Sequence, residues 1–177
     1  MTKEAEDLAR QLPALRRFAL ALTRDPSEAE DLVQEALLRG HERRRGFRAG
    51  GNLKSWLFSI MKNAFLDRRR NRLARESREA DVAAFAPLMI DAPQEAVVRL
   101  GQLRAAFLAL PDEQREALSL IAVEGLTYAE AAKVADVPLG TLMSRVARAR
   151  AALRAFEAGD AAPEGLRVVG GRDADRG

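Results

Sequence analysis

The sequence predicts an all-α protein made of two small helical domains joined by a flexible linker. Ala and Leu, which favour helices, are together more than twice as common as Val, Ile, Thr, Phe, Tyr and Trp combined. Apolar residues recur at helical spacing on both sides of residues 79–95, where prolines and acidic residues interrupt the pattern. The predicted parts are 8–78 for the first domain, 79–95 for the linker, 96–158 for the second domain and 159–177 for a disordered tail.

Two helices of the first domain are predicted from an apolar stripe and from a capping pattern. The first begins near Pro13 and buries residues spaced by three or four positions between Leu15 and Leu22. The second begins at Ser27, which lies three residues before Glu30 as in a capping box. The outer face of this second helix presents Asp31, Gln34, Glu35 and Leu38.

A third helix is predicted to begin near Asn52, after a glycine- and arginine-rich loop that starts around Gly40. Between His41 and Arg78, 12 Lys and Arg residues stand against 3 Asp and Glu, although the whole chain carries a net charge of only +3. This basic island favours contact with a polyanion, and a solvated helix face is the alternative. The apolar stripe of the helix comprises Leu53, Trp56, Leu57, Ile60 and Ala64.

Aromatic residues within the basic island favour a single-stranded nucleic acid, because bases stack on aromatic rings while cations attract the phosphates. Phe47 lies in the loop and is the best candidate for stacking. Trp56 belongs to the apolar stripe, so the pattern favours a core position for it. Phe58 lies off that stripe, and its position leaves a stacking role and a core role equally open.

The second domain is predicted to contain a helix-turn-helix. A helix that begins at Pro111 buries apolar residues as far as Ala122, and Thr127 with Glu130 forms a capping box that opens a short helix. A turn then leads to a longer basic helix over 139–156, a pattern typical of a unit that enters the DNA major groove. An αα-hairpin with a basic face is the alternative. The predicted core stripe of the longer helix comprises Leu142, Val146, Ala149 and Leu153. Its polar side presents Thr141, Ser144, Arg145 and Arg148.

Composition excludes several other classes of protein. Cys is absent, which excludes disulfides and thiolate metal sites, and His41 is the one histidine, which nearly excludes imidazole-based metal clusters. No apolar run approaches the ~20 residues of a membrane span, and the first residues are too acidic and polar for a secretory signal. No paired acid–base arrangement or phosphate-cradling glycine loop is present, so we expect no catalysis, no cofactor and no small-molecule substrate.

Assembled in order, these motifs resemble a bacterial RNA polymerase sigma factor of the extracytoplasmic-function (ECF) group. The resemblance covers roughly Leu12 to Leu153, and it extends more finely to the alphaproteobacterial general-stress subgroup. Each motif is weak alone, whereas their order and spacing together are specific. The stretches that carry the resemblance are AEDLVQE from Ala29, LKSWLFSI from Leu53, LPDEQREA from Leu110, LTYAEAA from Leu126 and GTLMSRVARAR from Gly140.

The resemblance implies that the first domain is sigma region 2, a helical bundle, and that the second is sigma region 4, which holds the helix-turn-helix. Region 2 would bind core RNA polymerase and the single-stranded −10 promoter element, and region 4 would bind the duplex −35 element. The implied polymerase-binding residues are Asp31, Gln34, Glu35 and Leu38. The implied −10 residues are Phe47, Arg48, Asn52, Lys54, Lys62, Asn63, Arg69 and Arg70. The implied −35 residues are Thr141, Ser144, Arg145 and Arg148.

The resemblance further implies a cytoplasmic, nucleoid-associated stress regulator that an anti-sigma factor restrains and that catalyses no reaction itself. One departure concerns Met143, since family members commonly carry a Lys or Arg at that position. The missing cation puts the −35 preference in question.

Two alternatives to a sigma factor remain. A sigma-like decoy would bind an anti-sigma protein without binding promoters, but the retained basic residues, including Arg145 and Arg148, argue against it. A stand-alone helix-turn-helix repressor is the second alternative, but it would give the whole first domain no function.

Overall fold

The computed structural model describes residues 3–47, 50–76 and 94–158, and no strand occurs among them. The all-α prediction is therefore confirmed. Most of the predicted linker and all of the predicted tail lie outside the described residues. The helices are α1 (Lys3–Thr23), α2 (Pro26–Glu42), α3 (Leu53–Glu76), α4 (Gln94–Ala109), α5 (Asp112–Leu118), α6 (Tyr128–Ala135) and α7 (Leu139–Glu157). Among these described helices, none combines the length and the apolar character that a transmembrane span requires.

Helices α1, α2 and α3 pack against one another as the first unit. Phe18 and Phe58 lie at its centre, where both side chains are fully buried and their ring centroids are 4.6 Å apart. Helices α2 and α3 approach closely at Gly40, because a Cβ there would lie 2.9 Å from Leu57 Cδ2. The expectation that Gly40 opens a loop is therefore wrong, since it lies buried within α2 at a position where an added Cβ would require the Leu57 side chain to shift.

Two predicted helix starts in the first unit are corrected. Helix α1 begins at Lys3, ten residues before Pro13, because burial of Leu8 against the core favours extension of the helix past the proline. Helix α2 is capped by Asp25 and not by Ser27, since Asp25 Oδ1 accepts a hydrogen bond of 2.8 Å from the Glu28 amide. Pro26 then takes the first helical position, where its missing amide proton costs little.

Helices α4 to α7 form the second unit, in which α6, a turn and α7 make the predicted helix-turn-helix. The capping box at α6 is confirmed: the Glu130 amide donates to Thr127 Oγ1 over 3.2 Å, and the Thr127 amide donates to Glu130 Oε2 over 2.9 Å. Asp136 then ends α6 in the left-handed conformation, with a φ of 53°. The chain reverses at this residue, and α7 packs against both α5 and α6.

The helix predicted from Pro111 differs from expectation in its second half. Helix α5 ends at Leu118 and continues as a π-helical turn over Ser119–Val123. The extra residue of a π turn rotates the chain, so Ala122 is exposed where burial was predicted. Two acidic residues are buried instead, Glu116 and Glu124.

Candidate nucleic-acid interface

The exposed side of α7 is the candidate surface for duplex DNA. Leu142, Val146 and Ala149 are buried against the second unit, as predicted. Ser144 and Arg148 are exposed on the other side of the helix, and the Ser144 hydroxyl donates to the Thr141 carbonyl over 2.9 Å. These positions let a side chain reach the edges of bases or a phosphate in the major groove.

The two other residues predicted on this surface are less accessible. Thr141 is partly buried. The Arg145 side chain is only 18% exposed, because its Nη2 lies 2.8 Å from Glu113 Oε2 on α5. Met143, which lies between Leu142 and Ser144 on α7, is 52% exposed. Of the four residues predicted on this surface, Ser144 and Arg148 are therefore the exposed ones, and the apolar side chain of Met143 is exposed near them.

An aromatic pair connects the loop before α3 to the first turn of that helix. The Phe47 ring lies 5.1 Å from that of Trp56, and the Arg44 guanidinium lies 4.8 Å over the Phe47 ring. Phe47 and Trp56 are both partly buried, so Trp56 contributes to this pair as well as to the core. Phe58, left open by the sequence, is fully buried and belongs to the core. The predicted contact at Arg48 lies outside the described residues.

The residues predicted to bind the −10 strand divide into two groups along α3. Asn63, Arg69 and Arg70 are exposed, and Arg69 Nη1 also lies 3.5 Å from Asp112 Oδ2 of the second unit. The other group comprises Asn52, Lys54 and Lys62, each of which bonds through its side chain to a glutamate of the second unit. Asn52 Nδ2 donates to Glu130 Oε1 over 2.7 Å, Lys54 Nζ donates to the Glu124 carbonyl oxygen, and Lys62 Nζ pairs with Glu116.

The acidic partners of these residues lie in unusual environments. Glu124 is fully enclosed, and its carboxylate accepts two hydrogen bonds of 2.9 Å from Arg17 on α1. Burial raises the pKa of Glu116 above that of an ordinary glutamate, while the charge and hydrogen bond of Lys62 oppose this rise. Hydrogen bonds from Thr127 and Asn52 lower the pKa of Glu130. All three carboxylates are thus paired with donors of the first unit: Glu116 with Lys62, Glu124 with Arg17 and Glu130 with Asn52.

The outer face of α2 is the candidate surface for a protein partner. Asp31, Gln34 and Leu38 are exposed, and 60% of Leu38 is accessible. Glu35 differs, because it pairs with Arg39 and Arg68 and is half-buried between them. The face therefore presents the Asp31 carboxylate, the Gln34 amide and the apolar side chain of Leu38. Glu35 is held in place by Arg39 of α2 and Arg68 of α3.

Sequence reasoning missed the residues that connect the two units. Arg115 is almost fully buried, and its guanidinium donates to the carbonyl oxygens of Ala21 on α1 and Leu110. Arg17 and Glu124 are 107 residues apart along the chain. No helical periodicity relates such distant positions, so the sequence carried no signal for these pairs.

Comparison with known proteins identifies the family. Residues 4–75 match the family model described as Sigma-70 region 2, and residues 100–153 match the one described as Sigma-70 region 4. The "ECF RNA polymerase sigma factor EcfG" of Rhodopseudomonas palustris (strain TIE-1) is 40% identical over 151 residues, which cover 85% of this chain and 83% of that protein.

Two solved structures from Bartonella quintana are also similar. In the complex of the sigma factor RpoE with the anti-sigma factor NepR, the matching chain is 35% identical, with a TM-score of 0.76 over 91% of this chain and 100% of that chain. In the complex of the anti-anti-sigma factor PhyR with NepR, identity is 17% and the TM-score is 0.52 over 85% of this chain and 49% of that chain, which shows the fold alone. The family models and the 40% identical relative together show that this chain belongs to the ECF sigma factors of RNA polymerase.

Proposed function

We propose that this sigma factor selects promoters through two separate DNA contacts, α7 on the duplex −35 element and α3 with its preceding loop on the unpaired −10 strand. The observation that carries the proposal is a helix-turn-helix with an exposed polar face in the same chain as a basic helix beside an aromatic pair. The chain supplies recognition, and the core polymerase supplies the chemistry of RNA synthesis. Cytoplasmic location, at the nucleoid when active, belongs to the same proposal.

Melting of the −10 element follows from preferential binding of the open strand. Unpairing and unstacking a base costs a few kcal/mol. Stacking on an aromatic ring is worth ~1–3 kcal/mol per base, and phosphate contacts with basic side chains add to this. Phe47 provides the ring, while Asn63, Arg69 and Arg70 provide exposed polar and basic groups farther along α3. Binding of the single strand then offsets the cost of opening the duplex.

Run-off transcription with purified core polymerase tests the proposal. Genomic fragments serve as templates, and permanganate footprinting reports unpaired thymines. We expect transcripts that depend on this chain and reactive thymines upstream of each start. Binding to core polymerase without transcripts would instead favour a sigma-like decoy, and repression of a promoter by the chain alone would favour a helix-turn-helix repressor.

Arg148 is expected to contact the −35 duplex. Replacing Arg148 with alanine should weaken binding of the holoenzyme to a −35 duplex by ~1–3 kcal/mol if the guanidinium contacts a base. The residue is exposed on the open side of α7, so the substitution removes no internal contact of the core. Fluorescence anisotropy measures the affinity. Arg150→Ala, a change of the same charge at another exposed position of α7, is the matched control, and equal losses for both variants would contradict the assignment.

The outer face of α2 is expected to bind core polymerase. Replacing Asp31 and Gln34 together with alanine should lower the affinity for core polymerase about tenfold, which corresponds to a combined contribution of about 1.4 kcal/mol to the interface. Both are exposed in the structure, so helicity should not change. Co-purification with core polymerase and circular dichroism measure the two effects. Glu42→Ala at the end of the same helix is the control.

An anti-sigma protein is the further proposed partner. The matching RpoE chain was solved in complex with the anti-sigma factor NepR, and the match spans 91% of this chain. A protein that binds both units of the chain would hide the surfaces proposed for DNA and for polymerase. Inhibition of run-off transcription by a co-purifying protein, and its reversal by excess chain, would support this part of the proposal.

A further inference from the structure

The exposed face of α7 is apolar at its amino-terminal end. Over residues 139–145, the exposed side of the helix consists of Leu139, Gly140, Met143 and Ser144. Leu139 and Met143 are 48% and 52% exposed, and residues four positions apart lie next to each other on a helix. No other two large exposed hydrophobic residues in the described part of the chain are spaced by three or four positions. We call Leu139 and Met143 the apolar strip.

Residues 139–145 present no exposed cation or amide side chain to a nucleic acid. The first cation of α7, Arg145, is held against α5, where its Nη2 lies 2.8 Å from Glu113 Oε2. The Ser144 hydroxyl donates to the Thr141 carbonyl over 2.9 Å, so its oxygen is left as an acceptor. The first exposed cation is Arg148, one turn beyond Ser144. The start of α7 therefore offers apolar contact in place of hydrogen bonds from Arg, Lys, Asn or Gln.

The position of the apolar strip on the helix-turn-helix matches it to one group of the DNA duplex. The first residues of a recognition helix contact the edges of bases in the major groove. The apolar group displayed there is the C5-methyl of thymine, which an A·T pair has and a G·C pair lacks. A Cβ built at Gly140, beside the strip, meets nothing within 4 Å, so the approach to the strip is open. Methionine also adapts to an uneven surface, because its side chain is unbranched and has three rotatable bonds.

The charge of α7 favours duplex DNA over an apolar peptide as the occupant of this face. Arg148, Arg150 and Arg154 are exposed along the helix, and Glu157 is its only acidic residue. Cations attract the phosphates on both sides of the groove without regard to sequence. The arginines therefore hold the helix on the duplex, and the apolar strip contacts the bases.

We propose that Met143, together with Leu139, reads the C5-methyl groups of thymines in the −35 element, so that part of the −35 sequence is selected by apolar contact. This inference rests on the proposed function, since it takes the start of α7 to lie in the major groove. Contact between the strip and a methyl group removes apolar surface from water on both partners. A G·C pair at the same place offers no methyl group, so the holoenzyme discriminates against it.

Replacement of thymine by deoxyuracil tests the inference one methyl group at a time. Deoxyuracil keeps the hydrogen-bonding groups of thymine and lacks only its C5-methyl. Each thymine of a −35 element identified by run-off transcription and footprinting is replaced in turn, and fluorescence anisotropy measures the affinity of the holoenzyme for each duplex. We expect at least one position at which the unaltered chain binds about fourfold more weakly, because one buried methyl group is lost.

Variants of Met143 assign this loss to the side chain. Met143→Ala should show little further loss on deoxyuracil replacement at that position, because the two changes remove the same contact. Met143→Leu keeps an apolar side chain of similar volume, so it should keep the sensitivity. Arg148→Ala is the control, since it should weaken binding to both duplexes and leave their ratio unchanged. Met143 is exposed, so circular dichroism should show unaltered helicity.

Three results would overturn the inference while the proposed function stands. In the first, the holoenzyme transcribes and protects its −35 element, yet no deoxyuracil weakens binding. In the second, Met143→Ala keeps the full sensitivity to deoxyuracil. In the third, Met143→Ala lowers the affinity for core polymerase and not the discrimination between duplexes, which would make the apolar strip a protein-binding surface. Absence of both transcription and −35 protection would instead refute the proposed function, on which the inference depends.

Discussion

Replacing Phe58 with alanine is expected to lower the free energy of unfolding by about 3–5 kcal/mol. The side chain is fully buried, and its ring lies 4.6 Å from that of Phe18 at an angle of 44°. Truncation removes the transfer free energy of the ring and leaves a cavity between α1 and α3, which a close-packed core fills only in part. Urea denaturation followed by circular dichroism measures the loss.

Phe47→Ala is the informative comparison, since both residues are aromatic members of the basic island. Phe47 is partly exposed, so we expect a much smaller loss of stability. If it stacks on a base, the variant should lose ~1–3 kcal/mol of affinity for single-stranded −10 DNA in the holoenzyme. If the F58A chain were folded and stable but bound the single strand weakly, Phe58 would be the stacking residue and its assignment to the core would be wrong.

Arg115→Ala is the second large expected effect, at about 3 kcal/mol of destabilisation. The guanidinium is almost fully buried and donates to the carbonyl oxygens of Ala21 and Leu110 as well as to Asp112, at 3.0 Å. Its removal leaves buried acceptors without donors, and each such group costs ~1–3 kcal/mol. The same urea titration measures the change.

Arg115→Lys keeps the charge but not the planar fork of donors. A single ammonium cannot reproduce the fixed directions in which Arg115 donates to Ala21, Leu110 and Asp112. We therefore expect the lysine variant to recover only part of the loss. Full recovery of the stability would show that the charge at this position matters and that the directions of the donors do not.

The helices themselves were largely predictable, because apolar periodicity reflects which face of each helix is buried. The stripe of Leu142, Val146 and Ala149 lies against the core as expected, and the capping box at Thr127 is present. Helix ends were less predictable. Asp25 and Ser27 both suit an N-cap, and only the path of the chain into α2 decided between them.

The candidate site was predictable only as separate surfaces. Exposure of Ser144, Arg148 and Leu38 follows from their positions opposite buried stripes. Phe58 was not predictable as a core residue, since it lies off the main apolar stripe of α3 and is buried because α3 packs against more than one neighbouring helix. The partners of Lys54 and Lys62 were not predictable, because nothing in local sequence relates α3 to α5 and the following turn.

The order of residues alone determined that the chain is helical and where its recognition helix lies, since both depend on spacing within one short segment. It also determined which family the chain resembles, through the order and spacing of several such segments. Only the tertiary structure decided that Glu116 and Glu124 are buried against cations from α1 and α3. The physical reason is that a charge enters the interior only with a partner, and that partner can come from any distance along the chain. Local patterns report burial of one face, whereas pairing across units depends on how the units dock.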